Sequence, residues 1–205
     1  MRLSPAAIAA ILFAISACGG SGSTAPPATL SIHIASTSIV SGTTQQASAV
    51  LSDGSTPSGV TWSTTNSMIA AVSSSGLITA TKKGPATITA TAGSRSAQIQ
   101  VSVVPGPANA VVIYSGDGQI GARGSQLPAP LCTNVLDAAG NLIVGATVTY
   151  TVTTGAGALA SPTSPQTDPA GIATSGLWTL GSSAGQQTVT ATVGSASVVF
   201  KATAQ

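Results

Sequence analysis

The sequence is poorest in charge. Charged residues make up 5% of its 205 positions, and glutamate is absent. The acids are Asp53, Asp117, Asp137 and Asp168, and the bases are Arg2, Lys82, Lys83, Arg95, Arg123 and Lys201. So slight a balance builds no field that would steer nucleic acid or another polyanion, so no nucleic-acid partner is expected. Histidine occurs once, at His33, and its alternation with Ile32 and Ile34 places it on the outward face of a strand. Catalysis needs proton carriers or nucleophiles held within reach of each other, and this inventory offers no such set. The expectation is a non-enzyme with no catalytic residue, no cofactor and no metal site. Each Asp sits before or near a glycine, where short acids bond the backbone of turns. Calcium is the sharper alternative, but single scattered carboxylates furnish no multi-oxygen cage. Gly116-Asp117-Gly118 is followed by no helix and no Lys-Ser/Thr pair, so it is not a phosphate loop.

Aromatic residues are 3% of the chain, which leaves little for a flat sugar-stacking face. Trp62 and Trp178 both lie in strand-like runs, and Trp62 is expected to fill the space between two sheets. Cysteine occurs twice, at Cys18 and Cys132. Cys132 lies in the strand-like run LCTNVL, with no base or cation adjacent in sequence. It reads as a small buried hydrophobe and not as a reactive thiol.

What the sequence does have begins with its first residues. After Arg2, Pro5 to Ala17 run thirteen residues without charge. That is shorter than the roughly 20 residues a membrane-spanning helix needs, and fits the apolar region of a secretory signal. It ends in Ile15-Ser16-Ala17-Cys18, which resembles the lipobox of bacterial lipoproteins. The resemblance implies that a leader, residues 1–17, is removed and that Cys18 is acylated, making the membrane a partner through Cys18. Cys132 then has no partner within the chain, and no disulfide framework is expected. Gly19 is not the Asp that retains enteric lipoproteins in the inner membrane, so the same resemblance implies the outer membrane or cell surface.

Residues 18–28 (CGGSGSTAPPA) begin as a flexible tether and stiffen at Pro26-Pro27. From 29 to 104, short alternating runs separated by turn residues give seven or so strands and no helical stretch, the signature of a sandwich. Within them VTWSTTNSMIAAVSSSGLITATKKGPATITA, Val60 to Ala90, resembles the group 2 bacterial immunoglobulin-like domains. Lys82-Lys83 reads as a solvated hairpin turn that discourages edge pairing. Pro105-Gly106-Pro107-Ala108-Asn109 is a hinge through which strand pairing cannot run. It is expected to allow limited bending, not free tumbling.

From 110 to 205 a second β pattern follows. SGDGQ at Ser115, VLDAAGN from Val135, GATVTY at Gly145, DPAGIA at Asp168, WTLG at Trp178 and TVTATV at Thr188 resemble the group 1 domains of the invasin and intimin type. Cys132 stands where that family has an aliphatic residue, and Leu142-Ile143 replaces its commoner Asn-Pro step.

The whole reads as an all-β chain: two tandem immunoglobulin-like sandwiches after a cleaved lipoprotein signal peptide. The invasin-type resemblance implies cell-surface adhesion or a spacer role, with a host, matrix or glycan ligand at the loops of the second domain. The alternatives are a polysaccharide-binding accessory module, which would want exposed aromatics, or a periplasmic envelope scaffold.

Overall fold

The computed structural model describes residues 27–205. The expected leader and the expected acylation site Cys18 lie outside these residues. Every regular element among them is a strand, and the strands form two sandwiches that share no sheet. The first is built from β1 (Leu30–His33), β2 (Ser38–Val40), β3 (Thr44–Gln46), β4 (Ser48–Leu51), β5 (Thr61–Thr64), β6 (Ala70–Val72), β7 (Leu77–Ala80), β8 (Gly84–Ala92) and β9 (Arg95–Val104). The second comprises β10 (Ala110–Ser115), β11 (Gln119–Gly121), β12 (Cys132–Leu136), β13 (Thr149–Thr154), β14 (Ala158–Leu159), β15 (Ile172–Thr174), β16 (Trp178–Thr179), β17 (Gly185–Val193) and β18 (Ala196–Ala204).

Each sandwich has the same plan. A four-stranded sheet, β2-β9-β8-β5 in the first and β11-β18-β17-β13 in the second, carries the long central hairpin. The opposing layer is made of shorter pieces, β1-β4 with β3-β7-β6, and β10-β12-β15 with β14-β16. β2 lies parallel to β9 and β11 parallel to β18, while the other strand pairs within the sheets run antiparallel. Period-two alternation explains the long hairpins. Ala86, Ile88, Ala90 and Ala92 point inward from β8, with Thr87, Thr89 and Thr91 on the opposite face.

The first sandwich has nine strands, more than the seven or so the alternation suggested. The run Gln46 to Leu51 is one reason. Ala47, 1% exposed, interrupts it, so that β3 pairs with β7 while β4 pairs with β1 in the other part of the layer. Trp62 also departs from expectation. It packs against the core but is only half-buried, and the sheets are filled instead by Ile39, Ile78, Ile88, Val101 and Val103 with small alanines between them. The indole lies across Gly76, where an added Cβ would meet the ring at 3.0 Å and the Ala47 carbonyl at 2.6 Å. With its φ of +82°, Gly76 leaves room for no other residue.

The second core is built on larger side chains. Trp178 and Phe200 are fully buried and are joined by Leu127, Leu131, Val135, Val148, Tyr150 and Val189. Tyr150 projects from β13 to the opposing sheet, where its hydroxyl accepts from Thr133 Oγ at 2.8 Å and donates to the Ala173 carbonyl at 2.8 Å. That strut joins the two layers through the core. Burial pushes the phenol up to about 12 despite the bond from Thr133.

Candidate functional site

The residues that could carry chemistry are dispersed. His33 is exposed on β1, with its Nε2 3.3 Å from Ser31 Oγ. Cys132 is buried, with its Sγ 3.5 Å from Thr174 Oγ. The four aspartates all accept from backbone amides at turns. Asp53 takes Ser55 N and Oγ, and those bonds hold its carboxyl below the usual range. Asp168 takes Ala170 N and Ile172 N at 2.8 and 2.9 Å. Asp117 reaches across to Lys201 N at 2.7 Å and pins its turn to β18. Among the described residues, no group of three His, Cys, Asp or Glu could hold a metal ion. No helix among them is long and apolar enough to cross a membrane.

Asp137 is different. It opens the turn after β12, 4% exposed, and its Oδ1 accepts Ala139 N at 2.9 Å and Asn141 N at 2.8 Å. Its Oδ2 accepts Asn141 Nδ2 at 2.8 Å and Gly106 N, from the segment joining the sandwiches, at 2.9 Å. Burial alone would raise this carboxyl. The bonds from Asn141 and Gly106 outweigh it and hold the pKa down at about 2.

The same turn is seated on the first sandwich. Asn141, 6% exposed, donates from Nδ2 to Ser41 Oγ and to the Thr81 carbonyl, both at 3.0 Å, and accepts Lys83 N on Oδ1 at 2.8 Å. Lys82 Nζ donates to the Ala139 carbonyl. Lys82-Lys83 is therefore not simply a solvated turn. Its side chains are exposed, but the turn forms one wall of the junction between the sandwiches. No local pattern signals this, because the partners lie 57 and 58 residues apart in sequence.

At the opposite pole of the second sandwich, three sequence-distant segments converge. Gly124 N donates to the Gly181 carbonyl at 3.2 Å, Leu180 N to Ser125 at 2.9 Å, and Arg123 N to Gln205 at 3.1 Å. Gly181 packs on Gly155 so closely that a side chain at 181 would strike the 155 carbonyl. Gln187, 1% exposed, ties the loop down. Its Oε1 accepts Gly181 N at 2.8 Å, and its Nε2 donates to the Gly181 and Ser183 carbonyls at 3.3 and 2.9 Å. The result is a braced surface of Gly, Ser and Ala with one cation, Arg123. Beside the first described residues of the first sandwich lies an open hollow of about 400 Å³, where Arg95 Nε donates to the Ala28 carbonyl at 2.7 Å.

Residues 28–103 match the family model for the bacterial Ig-like domain (group 2). No curated protein matches the chain. Among solved structures, the chain is similar to FdeC, described as a broadly conserved Escherichia coli adhesin eliciting protection against urinary tract infections. The identity is 20% and the TM-score 0.51, over 85% of this chain and 63% of that one. It therefore spans less than two thirds of the FdeC chain. The D00-D0 domain of intimin aligns at 15% identity and TM-score 0.49, covering 84% of this chain and 96% of its own. The Yersinia pseudotuberculosis adhesin InvE aligns at 17% and 0.41, covering 87% and 58%. At such identities the likeness is one of fold. Its 85% coverage by FdeC extends it beyond the group 2 match and into the second sandwich.

Proposed function

We propose that this chain is a membrane-anchored, non-catalytic surface module that acts in adhesion or as a spacer. Residues 1–17 are its leader, Cys18 its lipid attachment point and 18–28 its tether. Residues 29–104 form a group 2 Ig-like domain, 105–109 the joint, and 110–205 a group 1 domain of the invasin and intimin type. Acyl chains on Cys18 contribute about 0.8 kcal/mol per buried CH₂, so more than one chain anchors stably. The tether would hold the first sandwich near the outer membrane or cell surface.

The observation that carries this reading is the contrast between the two poles of the second sandwich. One is seated on the first sandwich through Asn141, while the other gathers three braced loops on the side away from the tether. Loops held on a rigid scaffold are where sandwiches carry recognition. A host, matrix or glycan ligand would meet the protein there.

The test combines two measurements on cells producing the full chain with an epitope after Gln205. Palmitate incorporation should occur in the wild type and vanish in Cys18→Ala. Antibody should label intact cells as strongly as permeabilised ones. Labelling only after permeabilisation would leave an envelope scaffold, and palmitate incorporation that survives Cys18→Ala would sink the anchor.

A further inference from the structure

The segment between the sandwiches has the composition of a hinge, yet hydrogen bonds bridge it from both sides. Asn141 belongs to the second sandwich, but three of its side-chain bonds go to the first: Ser41 Oγ, the Thr81 carbonyl and the Lys83 amide. Ser41 is itself oriented, because its hydroxyl donates to Thr81 O at 2.6 Å and so offers its lone pairs to Asn141. Asp137 adds the linker, holding Gly106 N with the same oxygen that accepts Asn141 Nδ2. Ser41, Asp137 and Asn141 are 8%, 4% and 6% exposed, so the closed joint keeps water from these bonds, and opening it would exchange each of them for a bond to water at a modest net cost. Only an amide fits at 141. Its two N–H bonds are shared among three oxygens while its carbonyl accepts from Lys83, and no other side chain of that size offers both.

We propose that the Asp137–Asn141 turn is a latch that fixes the angle between the two sandwiches, so that the chain works as one stiff arm and the Pro-Gly-Pro segment does not act as a free hinge. The arm then presents the far loops at a set height and direction above the tether. This follows from the junction alone and does not rest on the adhesion reading.

Paired spin labels test it in the full chain, placed at the exposed positions Gln98→Cys and Thr151→Cys in a Cys18→Ser, Cys132→Ala background. The parent should give one narrow distance peak. Asn141→Asp keeps the shape but removes the donors and sets a second carboxylate beside Asp137. It should lower the ratio of closed to open joint about 5–150-fold, read as population outside the parent peak. Ser41→Ala, in the other sandwich, should shift population in the same direction without touching the second sandwich's own turn. A parent distribution already as broad as that of the variants would overturn the latch, as would variants that stay narrow. Broadening in Asn141→Asp alone, with loss of the second sandwich's unfolding transition, would also overturn it, because the turn would then act only within its own sandwich.

Discussion

The two sandwiches share a plan but fill it differently. Seven of the twelve buried apolar residues of the first are alanines, and its one tryptophan is half-buried over Gly76. The second buries Trp178, Phe200 and Tyr150 at its centre, with the tyrosine hydroxyl bonded across the layers. Each of these small side chains removes little apolar surface from water. The second therefore gains more from its core, and it can also support the braced loops of its far pole. The turn aspartates follow the same contrast. Asp53 of the first sandwich is exposed and bonds only within its own turn, whereas Asp137 of the second is buried and holds both its own turn and the segment joining the sandwiches.

Substitution at the two tryptophans should break this comparison most visibly. Trp178→Ala should cost about 3–5 kcal/mol and abolish or strongly shift the second transition in denaturant unfolding. Trp62→Ala should cost roughly 1–2 kcal/mol, as expected for a side chain only partly removed from water. Equal losses would show that the two cores are energetically alike.

Acid probes the next difference. The folded pKa of Asp137 is about 2, below the usual 3.8. Its contribution is therefore complete above pH 3.8 and is lost as the pH falls through 2. A shift of that size corresponds to roughly 2 kcal/mol. Asp137→Ala should remove this stabilisation at neutral pH and flatten the acid limb of the stability curve, followed by circular dichroism. Asp53→Ala should leave the acid limb and the neutral stability nearly unchanged, as exposed substitutions do.

Tyr150→Phe should cost about 1–3 kcal/mol by leaving Thr133 and the Ala173 carbonyl without their partner, with the loss confined to the second transition. Least affected should be His33→Gln, which replaces an exposed ring and should leave both transitions within about 0.5 kcal/mol of the parent.

Much of this was legible in the sequence because strand pattern is local. The inward set of β8, the shared face of Val148, Tyr150 and Val152, and the outward His33 all follow from alternation at period two. The short pieces β2, β11 and β14 carry no such signal, since two or three residues show no period and are fixed by the strand beside them. The half-burial of Trp62 was hidden because alternation marks the face a side chain takes, not that its ring comes to lie across Gly76 near the edge of the core. The junction was hidden for a stronger reason. Asp137 and Gly140 look like any acid and glycine in a turn, and Asn141 gains its meaning from Ser41, Thr81 and Lys83, which lie 100, 60 and 58 residues earlier.

The parallel pairing of β2 with β9 and of β11 with β18 has a mechanical consequence. In each sandwich the chain enters at one end and leaves at the other, so a pull on the entry and exit points draws the two paired strands in opposite directions along their length. The load then falls on Ser38↔Ser102 through Val40↔Val104, and on Gln119↔Ala202 through Gly121↔Ala204, all at once. Such a clamp yields by shear and does not unzip one bond after another. A pull on the chain's entry and exit points would therefore have to shear both clamps before either sandwich came apart.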